Sequence, residues 1–194
     1  MRFLFWVYII IGMPLIRLLA PCKVIGKENF PLDVPLIVCA NHTSLFDPVV
    51  VFLHLGPKYR MYYMAKQELF RNPIIGYILR AAGAFPVRRG EIDINAVKTS
   101  MRHLKNSERV MIFPEGRRVA EGDEYAEAKL GAVRIALKSQ AQILPVWLSR
   151  GRKIFRCTKI VIGKPFMQEP PADRDFTPLI NELMGKISEL EPTE

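Results

Sequence analysis

His42 and Asp47 are the pair of residues in this sequence best suited to acid–base chemistry, with four residues between them. A neutral imidazole accepts a proton near pH 7, and a carboxylate on its other nitrogen fixes the tautomer and stabilises the cation. The apolar run 35–39 predicts a buried strand just before the histidine, and Asp47-Pro48 predicts a helix start. The two side chains are therefore expected to face each other across a strand-to-helix turn.

Each residue of this pair also has a purely structural interpretation. The aspartate could only cap the helix, and a histidine in a loop could be structural or solvated. A second polar segment, residues 113–118, favours chemistry because it follows an apolar run that predicts another buried strand. It places Glu115 and Gly116 where strands of a parallel sheet present side chains to a crevice.

Four blocks occur in order along the chain: residues 41–47 (NHTSLFD), 83–89 (GAFPVRR), 113–118 (FPEGRR) and 143–146 (ILPV). Together they resemble the glycerolipid acyltransferase family of the 1-acyl-glycerol-3-phosphate acyltransferase (PlsC) type. The resemblance implies His42 and Asp47 as the catalytic residues. It implies substrate binding by Arg89, Glu115, Gly116, Arg118 and Lys129.

The resemblance implies transfer of an acyl group from acyl-CoA or acyl-ACP to the sn-2 hydroxyl of lysophosphatidic acid, giving phosphatidic acid. The thioester is a co-substrate, and neither a cofactor nor a metal is expected. Arg89, Arg118 and Lys129 would hold the acceptor phosphate, since cationic side chains bind phosphate oxygens. Two residues depart from the family pattern: Arg117 replaces a small hydroxyl residue, and Arg88 replaces Asp or Asn. Another lysolipid or alcohol acceptor therefore stays open.

The composition predicts one globular domain with an anionic partner. The chain has 194 residues, 49% of them hydrophobic, with a net charge of +9 and a pI near 9.6. A nucleic-acid or anionic-membrane binding module would also satisfy this charge, but no nucleic-acid-binding motif is present and no nucleic-acid partner is expected. A metal-dependent phosphoesterase would need His42, Asp47 and Glu115 as ligands, without a further His or Asp near them.

The N-terminal residues 3–16 (FLFWVYIIIGMPLI) carry no charge. A helix that spans a bilayer needs about 20 apolar residues, so this stretch predicts an interfacial anchor. A buried core helix and a cleaved signal peptide are the alternatives. We expect residues 1–22 to anchor residues 23–194, the acyltransferase domain, to a phospholipid membrane at its cytoplasmic face.

Alternating strand and helix patterns predict an α/β fold, a single domain with a mixed sheet and flanking helices, preceded by the N-terminal membrane-associating helix. Residues 23–31 predict a short edge strand followed by a turn. The other predicted strands cover residues 35–39, 59–64, 85–87, 109–113, 143–148 and 154–162. The predicted helices cover residues 48–55, 73–82, 94–105 and 126–139 and a stretch from Thr177 onward. In the helix from residue 73, the apolar face is expected to carry Ile74, Ile75, Ile78, Leu79 and Ala82.

Overall fold

Strand β2 (Leu36–Ala40) forms the centre of the fold, and all five of its residues are buried. Its uninterrupted apolar sequence is what a strand covered on both faces requires. The structure, a computed structural model, describes residues 8–44, 47–88, 93–118, 128–150 and 157–192. Within these ranges β2 is the middle strand of a seven-stranded sheet and runs parallel to both of its neighbours.

The sheet is mixed, as the alternating pattern predicts. The other strands are β1 (Cys22–Ile25), β3 (Tyr62–Lys66), β4 (Ala84–Val87), β5 (Arg109–Ile112), β6 (Gln142–Leu148) and β7 (Thr158–Ile162). Their order is β1-β7-β6-β2-β5-β3-β4, and all pairings are parallel except the antiparallel pair of β6 and β7. The carboxyl ends of β5, β2 and β6 therefore lie side by side at one edge.

Helices cover both faces of the sheet. They are α1 (Met13–Leu19), α2 (Asp47–Leu55), α3 (Pro73–Ala81), α4 (Ile94–Lys105), α5 (Gly131–Ser139) and α6 (Thr177–Ser188). One core cluster joins Val51 of α2 and Leu79 of α3 to Val38. The other joins α4, α5 and α6 to the opposite face, where Ile37 and Cys39 point. The alternation of side chains along β2 thus feeds two separate cores.

Two helix starts and one helix end follow from local residue chemistry. The side chain of Asn72 accepts hydrogen bonds from the amides of Ile74 and Ile75 and so caps α3. Asp93 caps α4 in the same way. Gly83, just after α3, has a φ of +95°, and a Cβ there would lie 2.8 Å from the Met61 oxygen. The predicted helix starts at residues 73 and 94 are confirmed.

The helix predicted over residues 126–139 is shorter in the structure, where α5 begins at Gly131. The apolar face predicted for α3 is confirmed for Leu79 and Ala82, which pack against the core, and is wrong for Ile74, Ile75 and Ile78, which are exposed. Gly76 is buried as well. Apolar residues lie on most sides of this short helix, so its periodicity did not identify which of them are buried.

The described part of the N-terminal segment starts with one turn of π-helix, Tyr8–Gly12, followed by α1. The Arg17 guanidinium donates to the carbonyl oxygens of Leu53 and His54 and thereby binds α1 to the last turn of α2. Residues 1–7 of the predicted anchor lie outside the described ranges. Among the helices that the structure describes, none combines the length and the apolar character that crossing a bilayer requires.

Candidate active site

The candidate site lies at the edge where β2, β5 and β6 end. Parallel pairing places Leu36 beside both Arg109 of β5 and Gln142 of β6, so the three strands run in register. His42 follows β2 by two residues, and Glu115 follows β5 by three. Ligand sites of α/β sheets form in the crevice beyond such carboxyl ends.

His42 and Asp47 face each other as the sequence predicts. His42 Nδ1 lies 2.9 Å from Asp47 Oδ2, and both side chains are buried. The backbone amides of Thr43 and Ser44 donate to the same carboxylate oxygen at 2.7 and 2.8 Å. The Thr43 hydroxyl reaches the other oxygen at 3.2 Å. With Nδ1–H donating to the carboxylate, Nε2 is the imidazole nitrogen left to accept a proton.

These contacts decide between two interpretations of Asp47. An N-cap side chain accepts hydrogen bonds from amides two or three residues further along the chain. The Asp47 carboxylate instead accepts from Thr43 and Ser44, which precede it, and from the histidine. Its geometry is that of a group that orients His42, and its catalytic role stays a prediction.

The segment after β5 holds His42 from the other side. The Phe113 ring stacks on the imidazole, with 4.1 Å between centroids and 20° between planes. Glu115 Oε2 accepts a hydrogen bond of 3.0 Å from the backbone N–H of His42. The resemblance assigns Glu115 to the acceptor, whereas the contact observed here positions the residue that carries the imidazole.

Glu115 is only 2% exposed, and its Oε1 has no hydrogen-bond partner among the described residues. Burial raises the pKa of this carboxyl, against the opposing effects of the His42 amide and of the positive charges of Arg150 and Arg117. Sequence reasoning did not single out Arg150. Arg150 follows the end of β6, and only the strand order places that end beside the end of β2, which leads to His42.

Asn41 ties the loop of the histidine to the neighbouring strand. Its side-chain amide donates to the Leu148 oxygen at 2.9 Å, and its side-chain oxygen accepts from the Leu148 amide at 2.7 Å. Asn41 is buried, and this pair of hydrogen bonds extends the sheet one residue beyond β2. No separate role is predicted for Asn41 from the sequence, although a polar residue at the end of a fully apolar strand is a visible signal.

The structure brings together two of the predicted acceptor-binding residues. Gly116 has a φ of +64°, and a Cβ on it would lie 3.0 Å from both Cδ and Cε of Lys129. The Lys129 amide donates to the Pro114 oxygen at 2.8 Å, which fixes this approach. Arg118 is exposed just after this turn, and Arg89 lies outside the described residues.

A cavity of about 510 Å³ adjoins His42 and extends between the sheet and helices α4 and α5. Its apolar lining is formed mainly by Met64, Val87, Ala96, Val97, Met111, Ile112, Phe113, Leu130, Ala132 and Ile135. Its cations are Arg88, Lys129, Arg134 and Lys138. A long apolar group with its polar end at His42 fits this arrangement.

Of the tyrosine and methionine side chains in the predicted strand over residues 59–64, Met64 lines the cavity. Tyr63 is buried in the core on the other face, and Tyr62 stacks on His103. Within the residues that the structure describes, no three His, Cys, Asp or Glu side chains are grouped to hold a metal ion.

Comparisons with known proteins agree with the sequence blocks. The family model described as "Acyltransferase" matches residues 21–149. The 1-acyl-sn-glycerol-3-phosphate acyltransferase of Bacillus subtilis is 34% identical over 178 residues, covering 87% of each chain. The enzyme of the same name from Streptococcus pneumoniae is 37% identical over 115 residues, 59% of this chain and 41% of that one. The crystal structure of the LPA acyltransferase PlsC from Thermotoga maritima superposes with a TM-score of 0.69 at 23% identity, covering 100% of this chain and 94% of that one.

Proposed function

The chain belongs to the acyltransferase family, and we propose that it transfers an acyl group from acyl-CoA or acyl-ACP to the sn-2 hydroxyl of lysophosphatidic acid. The observation that carries this proposal is the His42–Asp47 pair beside an apolar cavity, at a distance of 2.9 Å between Nδ1 and Oδ2. The names of the relatives support the acceptor. The product is phosphatidic acid.

The proposed reaction is a direct transfer. His42 Nε2 takes the proton of the acceptor hydroxyl while the oxygen attacks the thioester carbonyl carbon. A carbon–oxygen bond forms, the carbon–sulfur bond breaks, and the thiolate leaves with the proton returned by the imidazolium. Asp47 stabilises that imidazolium through Nδ1. No group of the protein forms a covalent intermediate.

The acceptor phosphate is assigned to the cations near this edge. Lys129 lies against Gly116 and lines the same cavity as His42. Arg118, which is exposed, follows Gly116 by two residues. Arg89 completes the proposed set by resemblance. Cations that hold a dianionic phosphate also position the neighbouring hydroxyl, which makes their effect visible in catalysis as well as in binding.

The acyl chain of the donor is assigned to the cavity. A volume of about 510 Å³ lies in the range of small-molecule sites, roughly 300–1,000 Å³. Because His42 lines one part of the cavity and apolar side chains line most of the rest, a chain bound there would present its thioester to the base. Met64 and Ile135 lie on opposite walls, on the sheet and on α5.

Membrane attachment through residues 1–22 is part of the proposal. Ile10, Ile11, Leu15 and Leu18 are all at least half exposed. Such side chains next to Arg17 are typical of a segment that lies in the bilayer interface. The bilayer is also where a lysolipid acceptor resides, and we place the enzyme at its cytoplasmic face.

Release of free thiol from acyl-CoA and from acyl-ACP, with and without lysophosphatidic acid, tests the function. We expect acceptor-dependent release that survives EDTA and disappears in His42→Ala. Release that ignores every lysolipid acceptor would contradict the transferase assignment. Release with a different lysolipid alone would redirect it, and Arg117 in the third block is the departure that makes this comparison worthwhile.

A further inference from the structure

Helix α3 exposes its most apolar side chains. Ile74 is 71% exposed, Ile78 56%, and Ile75 and Tyr77 45% each. Positions 74, 77 and 78 lie on one side of a helix, and position 75 adjoins them. We call these four side chains the α3 patch. The side that faces the protein instead carries Gly76 and Leu79.

The close approach at Gly76 holds the patch in this orientation. A Cβ on Gly76 would lie 3.1 Å from the Phe70 oxygen and 3.3 Å from the Phe70 Cα, so the helix packs on this backbone through its smallest residue. The Asn72 side chain caps the helix two residues after Phe70 and so fixes the helix start next to this contact. Contiguous exposed apolar surface of this kind marks an interaction site.

The chain segment that carries the patch has a net positive charge. Residues 66–83 contain Lys66, Arg71 and Arg80 and the single carboxylate Glu68, which is 3.6 Å from Lys66. The Arg80 guanidinium lies over the Phe70 ring, 5.2 Å from its centroid. An apolar helix face flanked by a net positive charge matches an interface between anionic headgroups and acyl chains.

The patch lies on the same side of the sheet as the N-terminal helix. Leu79 of α3 and Val51 of α2 pack in one core cluster on this face, and α1 is bound to α2 through Arg17. The exposed Leu15 and Leu18 of α1 and the α3 patch therefore belong to one helical layer, while α4, α5 and α6 cover the opposite face.

We propose that the α3 patch is a second contact with the phospholipid bilayer, separate from the N-terminal segment. Two contacts on one layer restrict how the domain can rotate on the membrane, whereas one short anchor leaves it free to turn. This inference goes beyond the proposed reaction, and it can be measured without turnover.

A second copy of the chain suits the patch less well. Helix α3 has nine residues and is therefore about 14 Å long. Four partly exposed side chains on it present much less than the ~800 Å² per partner that a stable complex buries. A bilayer has no such minimum area, because each inserted side chain adds its own transfer free energy.

The test uses the full chain with vesicles of phosphatidylcholine and phosphatidylglycerol in equal parts. The variant Ile74→Gln/Ile78→Gln keeps charge and helix propensity. We expect it to bind these vesicles about tenfold more weakly, as expected for two apolar side chains withdrawn from a bilayer. Its matched control is Ile94→Gln, at a position 61% exposed on α4 of the opposite layer, which should bind as the parent does. Equal binding by all three proteins would overturn the proposal.

A second measurement does not depend on affinity. Tryptophan introduced by Ile78→Trp should be quenched by brominated lipid beyond the parent signal, whereas Ile94→Trp should not. Sedimentation without lipid reports the competing occupant. A dimer that Ile74→Gln/Ile78→Gln dissociates, together with unchanged vesicle binding, would assign the patch to a second copy. Thiol release in detergent tests the reaction separately, so loss of vesicle binding with normal turnover distinguishes the two proposals.

Discussion

Two histidine–carboxylate pairs of the same spacing lie in the part of the chain that the structure describes. His42 Nδ1 is 2.9 Å from Asp47, and His103 Nδ1 is 2.8 Å from Glu108. Each pair is separated by five positions in sequence. Each imidazole stacks on an aromatic ring, at 4.1 Å for the first pair and 3.8 Å for Tyr62 in the second.

The difference between the pairs is their place in the sheet. His42 follows the carboxyl end of β2 and lines the cavity. His103 lies in the last turn of α4, and Glu108 directly precedes β5, so the second pair lies at the opposite edge. The Asp47 carboxylate also receives two backbone amides, whereas the Glu108 side chain is 34% exposed. A histidine and a carboxylate make a candidate site only where strand ends, a cavity and backbone donors meet.

Removing each imidazole gives the largest expected contrast. His42→Ala should lower the rate of acceptor-dependent thiol release by about 100-fold to 10,000-fold, which is the usual contribution of a general base. His103→Ala should leave the rate within a few-fold of the parent, since it lines no part of the cavity. Comparable losses in both variants would remove the distinction drawn between the two edges.

Substitution of the two carboxylates, Asp47 and Glu108, should give the same contrast in rate as substitution of the two histidines. Asp47→Asn should cost roughly two to four orders of magnitude in kcat, because it disturbs the tautomer and no longer stabilises the imidazolium. Glu108→Gln should have little effect on kcat. Thermal unfolding of both variants is the necessary companion measurement. An Asp47→Asn loss that follows only the drop in Tm would restore the helix-cap interpretation.

The cations can be compared in the same assay. Lys129→Ala should raise the KM for lysophosphatidic acid and cost on the order of 1.5–3 kcal/mol in kcat/KM, the value of a lost charge-assisted hydrogen bond. Arg118→Ala should act in the same direction. Lys105→Ala, an exposed lysine at the end of α4, is the matched control. Unchanged kinetics in the first two variants would point to another acceptor.

The buried carboxyl beneath His42 should show itself in the pH dependence of stability. The pKa of Glu115 is raised in the folded state. At pH values between the ordinary pKa and the raised one, the folded protein therefore binds more protons than the unfolded protein. The contribution of the Glu115 carboxyl to the free energy of unfolding is fully present below about pH 4, and it declines as the pH rises through the folded-state pKa. Glu115→Gln should remove this decline, so its stability relative to the parent should be higher near pH 7 than near pH 4 in urea unfolding. A parallel pH profile for both proteins would contradict the raised pKa.

The smallest effect is expected at Asn72, whose side chain caps a helix in the way that the Asp47 side chain does not. Asn72→Ala removes the cap of α3 and should cost about 1 kcal/mol of stability, since its side chain accepts from two amides of the first turn. Turnover in detergent should stay at the parent level. A fall in turnover beyond the fall in folded protein would mean that α3 couples to the site.

The sequence determined what lies within one or two turns of chain. The His42–Asp47 pair, the Asn72 and Asp93 caps and the Gly83 turn depend on spacings of a few residues, where bond lengths and φ preferences leave few geometries. The apolar run of β2 likewise required a strand covered on both faces. The family blocks added the order of the site residues but not their contacts.

Only the tertiary structure decided the contacts between distant residues. The bond from His42 to Glu115 spans 73 positions and that from Asn41 to Leu148 spans 107. Both depend on β2 lying between β5 and β6, and local propensity does not encode strand order. The cavity exists because α4 and α5 share one face of the sheet. The exposed side of α3 was decided by the approach of Gly76 to Phe70, since the helix alone is apolar on most sides and packing had to choose between them.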